Sequence, residues 1–403
     1  MHSSYKALTA VAFSAIFVLS LVACGGQPAT GNTQAIVIGA SIPMTGALSI
    51  FGPNEQAGYT KAVNDINASG GIEIQGVRHK VQLILLDNKS DPDTASQQAR
   101  TLYLQDNAVA LLGAATPTLN IPVSNIAEQV KRPLVQSLDP IEAWLGARQS
   151  GWKYSWDTFF DENQMTNLQF QTSDLINTNK RVALFTDTEE DGVTMGGLWE
   201  KKASQFGYQV VYHAKFPVGT TNFSSQVAAA QAAKADVLIV QMIPPDAAAL
   251  WKQMKSVGYQ PKAAFCEKCG EGAAWRQISG SLAEGTMVSE WWSSSLGLPE
   301  ASSFVSAYGQ HGITSDLSMI VATDSVARVL FDAITQAQSL TPSAINTALA
   351  KTNKTYPVGH IQFGANHASP LMALVDQWQG VNMVRVFPNT KGAGTIETPV
   401  PGL

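Results

Sequence analysis

A chain of 403 residues, 45% of them hydrophobic and only 14% charged, has enough apolar material for two well-packed domains and is not that of a disordered protein. Its 26 Lys and Arg stand against 31 Asp and Glu, a net charge of −5, so it offers no reason to expect the basic face that nucleic acid requires. Three cysteines are too few for a disulfide framework.

The chain opens on a short head carrying Lys6 and runs on without charge from Ala7 to Ala23, the layout of a secretory signal. At 17 residues this run lies at the low edge of what spans a bilayer, so an uncleaved anchor is the competing expectation. Leu21-Val22-Ala23-Cys24 resembles a bacterial lipobox, which implies cleavage after residue 23 and lipid attachment at Cys24. On either reading the chain works outside the cytoplasm, tethered to a membrane that it need not enter. Residues 24–34 are Gly-, Pro-, Thr- and Asn-rich and read as a flexible tether.

An alternation of strands and helices follows. "AIVIGASIP" is a fully apolar strand, and "NEQAGYTKAVNDINASGG" a helix with Tyr59, Ala62, Val63 and Ile66 on one face, ending at Gly70-Gly71. "KVQLILLDN" is the next strand, and Asp91-Pro92 an N-cap with proline at the first helical position. "VALLGAA", the helix "IPVSNIAEQVK" and the strand "RPLVQSL" complete the first half. After an aromatic stretch with Trp144, Trp152 and Trp156 the pattern restarts. Strands "RVALFTD", "YQVVYHAKF", "ADVLIVQMI" and "KAAFCEK" alternate with helices over 192–207, 225–234 and 246–258. The last third adds two helices (318–337 and 342–352), strand-like runs "GHIQFG", "MALVDQW" and "VNMVRVF", and a Pro- and Gly-rich tail. Continuous apolar strands alternating with helices mean parallel sheets covered on both faces, so the expected class is α/β with two Rossmann-like lobes.

In such sheets ligands bind beyond the carboxyl ends of the strands. Those ends are "PMTGALSIFG", "AATPT" and "LDP" in the first half, and "DTEEDG", "QMIPPD" and "CEKCGEG" in the second. The second-half loops carry Asp187, Glu189, Glu190, Asp191, Asp246, Glu267 and Glu271 against one cation, Lys268. Most of these acids read as solvated loop residues and helix caps; one or two facing the cleft favour a ligand with an amino or amide group. Cys266 and Cys269, spaced CxxC, read as a local disulfide, with free thiols or metal or redox chemistry as alternatives. A zinc site needs two more ligands, and the six histidines show no matching spacing.

The stretch "IVIGASIPMTGALSIFGPNEQAGYTKAVNDINASGGI" followed by "VQLILLDNKSDPDTASQQARTL" resembles the extracellular substrate-binding proteins of ABC importers of the leucine/isoleucine/valine-binding type. It has that family's P-x-T-G loop, aromatic-Gly pair, N-A-x-G-G-I-like turn and D-P-x-x-A helix start. The likeness continues through "GAATPTLNIPVSNIAEQVKRPLVQS", "DTEEDG", "GTTNFSS", "AEGTMVS" and "GHIQFGANH", and so covers nearly all of the mature chain.

The resemblance implies the type I periplasmic-binding-protein fold, two lobes joined by a three-crossing hinge that closes on one small ligand for a membrane permease. On that plan residues 35–157 with 291–356 form one lobe, 158–290 with 357–390 the other, and 391–403 a tail. By position, Phe51 matches the aromatic covering the ligand, although it also reads as core. Thr116-Pro117-Thr118 matches the carboxylate-binding loop, and Leu138-Asp139-Pro140 the segment holding carboxylate and ammonium. Asp191 falls at an aromatic contact, Met242 or Ile243 near another, and Glu267 or Glu271 near the acid that pairs with the ammonium. The chain departs from the family at Pro117 and Pro140, which have no N–H to give a carboxylate. The tryptophans at 144, 152 and 156 read as packing at the lobe junction, with ligand stacking as the alternative.

The expected activity is thus capture and delivery of a branched-chain or other apolar or aromatic amino acid, or an amide or amine relative, by a monomer with no cofactor. A ligand-sensing receptor component of the same fold is the alternative. An extracytoplasmic hydrolase is the remote one, since the sequence has no G-x-S-x-G, P-loop, H-E-x-x-H or G-x-G-x-x-G motif.

Overall fold

The computed structural model describes residues 34–309 and 316–403; the signal, Cys24 and the tether up to residue 33 lie outside the described residues. The first half runs β1 (Ile36–Ile42), α1 (Gly52–Ala68), a hairpin of β2 (Ile72–Ile74) and β3 (Val77–His79), β4 (Val81–Asp87), α2 (Pro92–Leu104), β5 (Ala110–Leu112), α3 (Pro117–Val130), β6 (Leu134–Gln136), α4 (Ile141–Gly146) and β7 (Ser155–Asp157). Its strands form a five-stranded parallel sheet in the order β4-β1-β5-β6-β7. α2 starts as its sequence dictates, with the Asp91 side chain accepting from Thr94 N at 2.7 Å and Pro92 in the first turn.

The second half runs α5 (Glu162–Ser173), β8 (Arg181–Asp187), α6 (Glu190–Ala203), β9 (Gln209–Phe216), α7 (Ser224–Ala232), β10 (Val237–Gln241), α8 (Pro244–Ser256), β11 (Ala263–Glu267), α9 (Gly272–Ser279) and β12 (Met287–Glu290). The chain then returns through α10 (Ala301–Tyr308), α11 (Leu317–Ala337), α12 (Pro342–Leu349) and the hairpin of β13 (Asn353–Tyr356) and β14 (Gly359–Gln362) to β15 (Leu374–Gln379) and β16 (Asn382–Phe387). The second sheet has seven strands, β16-β15-β12-β11-β10-β8-β9, of which β15 and β16 join antiparallel. It is therefore a mixed sheet with an antiparallel edge. The run "GHIQFG" does not enter it: β14 pairs only with β13.

The chain crosses between the halves three times. Residues 157–159 and 367–371 run side by side, joined by Asp157 N to His367 O, Ser369 N to Asp157 O and Leu371 N to Phe159 O. The third crossing leaves β12 through Trp291, whose ring meets the edge of Phe159 at 4.4 Å. The expected tryptophan cluster is packing: Trp144 stacks on Trp152, and Trp156 on His367.

α11 lies along α1 and against β6, and nearly all of it is buried. The approach depends on Gly58. A Cβ there would stand 2.0 Å from Thr323 Oγ1 and 2.5 Å from the Ile320 carbonyl oxygen, so the two helices would have to move apart. Gly58→Ala is expected to cost about 1–3 kcal/mol in chemical denaturation. Gly197→Ala in α6, where a Cβ meets nothing within 4 Å, is the control and should be neutral or stabilising. Equal stability of the two variants would refute the close-packing argument.

Candidate functional site

Loops beyond the strand ends of both sheets line one small cavity. The first sheet contributes Phe51 after β1, Ala115 and Thr116 after β5, Leu138 and Pro140 after β6, and Phe159 and Phe160 after β7. The second contributes Asp191 from the first turn of α6, Gln241 at the end of β10, and Lys268 and Glu271 after β11. One wall is thus mostly apolar and the other polar and charged.

The cavity volume is about 30 Å³, room for about one water and far below the 300–1,000 Å³ of ordinary small-molecule pockets. A ligand of amino-acid size does not fit the cavity at this volume.

Three non-glycine lining residues have positive φ: Thr116 at 64°, Leu138 at 59° and Lys268 at 64°. For a β-branched threonine this is a true outlier, and such strain gathers at ligand clamps. Thr116 N donates to Leu138 O at 2.8 Å, which locks two of these loops together. The Thr116 hydroxyl is buried without a partner on the cavity wall, free to meet a ligand.

The polar wall is organised by Lys268. Its Nζ lies 3.1 Å from Asp191 and 3.4 Å from Asp187, the last residue of β8, and all three side chains are buried. Burial alone would push the ammonium's pKa down; Asp191 and Asp187 outweigh it and hold the group charged. Gln241 Nε2 also donates to Asp191 at 2.8 Å. Asp191 is thereby engaged by its own wall. Glu271 caps the start of α9, and burial, then the nearby Glu267, push its carboxyl up to about 8. It is mostly protonated at neutral pH.

Several expected positions lie elsewhere. Met242 is fully buried in the core on the far side of the second sheet, and Ile243 packs in the main core; neither lines the cavity. Glu267 accepts from Ser289 N and Oγ behind the wall, and burial raises its carboxyl to about 7. Asp139 is wholly buried, accepting from Gln136 Nε2 at 2.6 Å, and burial with Asp191 nearby drives its pKa well up. It does not line the cavity. Pro117 is buried at the start of α3, outside the lining, and the Thr118 hydroxyl donates across the halves to Glu189, with Glu190 at 3.0 Å. Asp246 accepts from Gly219 N. Cys266 and Cys269 are joined as a disulfide flanking Lys268.

Five lining residues, Ala115, Phe159, Phe160, Gln241 and Lys268, have no ligand role assigned from sequence. Gln241 is the one polar side chain in the apolar strand that it ends, and Lys268 the one cation among the loop acids. Both were signals. Phe159 and Phe160 lie in a stretch with no periodicity to mark them.

Residues 35–378 match the family model for periplasmic binding proteins. The Leu/Ile/Val-binding protein homolog 7 of Brucella suis biovar 1 is 22% identical to this chain, over 96% of it and 98% of its own length. The leucine-binding protein LivK of Thermotoga maritima superposes with a TM-score of 0.78 at 23% identity, covering 87% of this chain and 97% of that one. A solute-binding protein of an ABC transporter from R. palustris, solved in complex with 4-hydroxybenzoate, superposes with a TM-score of 0.73 at 18% identity, covering 87% and 95%. At these identities the superpositions establish the fold.

The buried carboxyls make stability depend on pH. Glu271 at about 8, and Glu267 and Asp376 at about 7, keep protons that the unfolded chain releases near pH 4. Between those limits the folded protein binds more protons, so this stability is complete below about pH 4 and is lost as pH rises through 7–8. The Tm of ligand-free protein should fall between pH 5.5 and 8.5 by several degrees. Glu271→Gln, which cannot ionise, should show a shallower fall; an unchanged slope would mean that Glu271 is not held protonated.

Proposed function

The chain belongs to the periplasmic binding protein family, and from that premise we propose that it captures one small molecule between its halves by hinge closure and delivers it to an ABC importer. The observation that carries this reading is the two-sided cavity: Phe51, Leu138, Phe159 and Phe160 face Asp191, Gln241, Lys268 and Glu271. A ligand that suits both walls has an apolar body and a polar head. A branched-chain or other apolar or aromatic amino acid fits, as does an amide or amine relative. Relatives named for leucine, isoleucine and valine binding support the amino acid; the fold is also found around 4-hydroxybenzoate.

The lobes follow from the crossings. The first is residues 35–157 with the segment from 291, and the second is 158–290 with β15 and β16. The β13–β14 hairpin bonds to α11 through Tyr356 OH to Asp332 and Val358 N to Ser325 Oγ, which supports drawing the first lobe's end at the crossing of 367–371 in place of residue 356.

Glu271 is the acid on the wall with no ion-pair partner of its own, and it is assigned to the ligand's nitrogen. An ammonium needs it ionised. With its pKa at about 8, affinity should tighten by up to about tenfold per pH unit from 6 to 8 and then level. An amide can instead accept the Glu271 proton, and its affinity should be nearly flat over that range. Native mass spectrometry of protein purified without refolding, followed by a thermal-shift screen of amino acids, their amides, amines and aromatic acids, identifies the class. Glu271→Gln should weaken an amino-acid ligand tenfold or more and flatten its pH profile. Nitrogen-free acids binding as tightly as amino acids or amides would overturn the assignment.

The same reading places the protein outside the cytoplasm, anchored through Cys24. Among the described residues no helix is long and apolar enough to cross a membrane. Cys24→Ser should leave ligand binding unchanged and move the protein to the soluble fraction. A mutant processed at residue 23 that still sediments with membranes would exclude the lipid anchor.

A further inference from the structure

A second cavity lies behind the hinge, apart from the cleft, and shares no residue with it. Glu290, the last residue of β12, and Asp376, on β15 beside it, line one side; Ser318, in the first turn of α11, lines the other. Trp292, Ser293 and Met383 complete the wall, and the exposed Ser294 stands at the mouth.

Glu290 is only 2% exposed, Ser318 4% and Asp376 6%. Both carboxylate oxygens of Glu290, Oδ1 of Asp376 and Oγ of Ser318 are buried with no hydrogen-bond partner. Four orphaned oxygens in one small cavity are a large desolvation debt, at several times the cost of a satisfied site. Burial, then Glu271 and Asp376, drive the Glu290 carboxyl well up. The Ser318 hydroxyl stands near enough to oppose part of that rise, but neither oxygen of Glu290 makes a hydrogen bond in good geometry. Arg385 stands opposite Asp376 in register and its charge offsets part of the rise that burial imposes on that carboxyl, but its hydrogen bonds go to Ser295, Pro388, Thr390 and Lys391.

The cavity measures about 40 Å³, the size of one ion or water and too small for an organic amine. Its donors are carboxylate and hydroxyl oxygens, the set that suits hard cations. No described group of three or more His, Cys, Asp or Glu is arranged to hold a metal, so tight binding is not expected; two carboxylates match the weak, millimolar class. We propose that this cavity binds a small hard cation, for which Ca²⁺ is the probe, through Glu290, Asp376 and Ser318. Because α11 belongs with the first sheet and β12 and β15 with the second, the ion bridges the two halves at the hinge.

The test uses the mature chain, stripped with EDTA and moved into metal-free buffer. Added CaCl₂ at about 5 mM should raise the Tm by about 2 °C or more. Tb³⁺ should give luminescence excited through tryptophan, since Trp292 lines the cavity. Glu290→Gln and Asp376→Asn should weaken both responses tenfold or more. Without cation, Glu290→Gln should be at least as stable as the native chain, because the amide stays neutral at every pH and removes the cost of burying an ionisable group. If it does not fold, Asp376→Asn and Ser318→Ala carry the same comparison. MgCl₂ and NaCl are run in parallel to rank the ions. No response to any of the three cations, or equal responses in the variants, would overturn the proposal and leave these acids as proton carriers only.

Discussion

The ammonium of Lys268 between Asp191 and Asp187 is the interaction on which the polar half of the cleft rests. Removing one partner of a buried ion group leaves an uncompensated charge and typically costs about 3–5 kcal/mol. Here Asp139 and Glu271 stand close enough to raise that cost further, because each feels the charge of Asp191. The chain holds Lys268 in place locally, through its left-handed backbone and the Cys266–Cys269 disulfide on either side of it. With Lys268 fixed, Asp191 is occupied, Glu271 is left facing the cavity, and the wall presents a nearly neutral surface in place of an acidic one.

That arrangement divides recognition between the halves. The first sheet supplies rings and aliphatic surface, the second supplies hydrogen-bonding and charged groups, and neither makes a complete site. A ligand gains the full set of contacts only with both, which is the differential interaction that a closing motion requires. The hydroxyl of Thr118 reaching Glu189 adds a direct polar contact between α3 and α6, so part of the closing energy comes from the protein itself.

Much of the scaffold was legible because its cues are local. The apolar strands β1, β4, β8 and β10, the Asp91-Pro92 cap and the helix faces each carry their signal within a few residues. The short elements are different. β7 and β12 have three and four residues and exist because neighbours far along the chain pair with them, as Asp157 does with Ala368 and Met287 with Gln377. Within the site, Phe51, Thr116, Leu138, Asp191 and Glu271 reach the cavity, while Met242, Ile243 and Glu267 do not. Those three lie on or just beyond strand ends, where a step of one residue turns the side chain to the opposite face, so Gln241 faces the cleft and Met242 the core behind it. Glu271 faces it because three residues of turn, 268–270, separate it from Glu267.

The interleaving of the halves sets the order in which the chain acquires stability during synthesis. The first sheet is complete at residue 157, but α1 and β6 stay uncovered until α11, residues 317–337, has been made. β12 likewise waits for residues 374–377 before its free edge is paired. Neither half can finish its core while the other is still growing, so the usual economy of folding one domain at a time is closed to this chain. Its contacts are long-range, its folding correspondingly slow, and a nascent chain exposes apolar helix faces and an open strand edge until its final quarter emerges. The interval before residues 317–377 are made is thus a cost of the interleaving itself, set by topology and independent of the ligand.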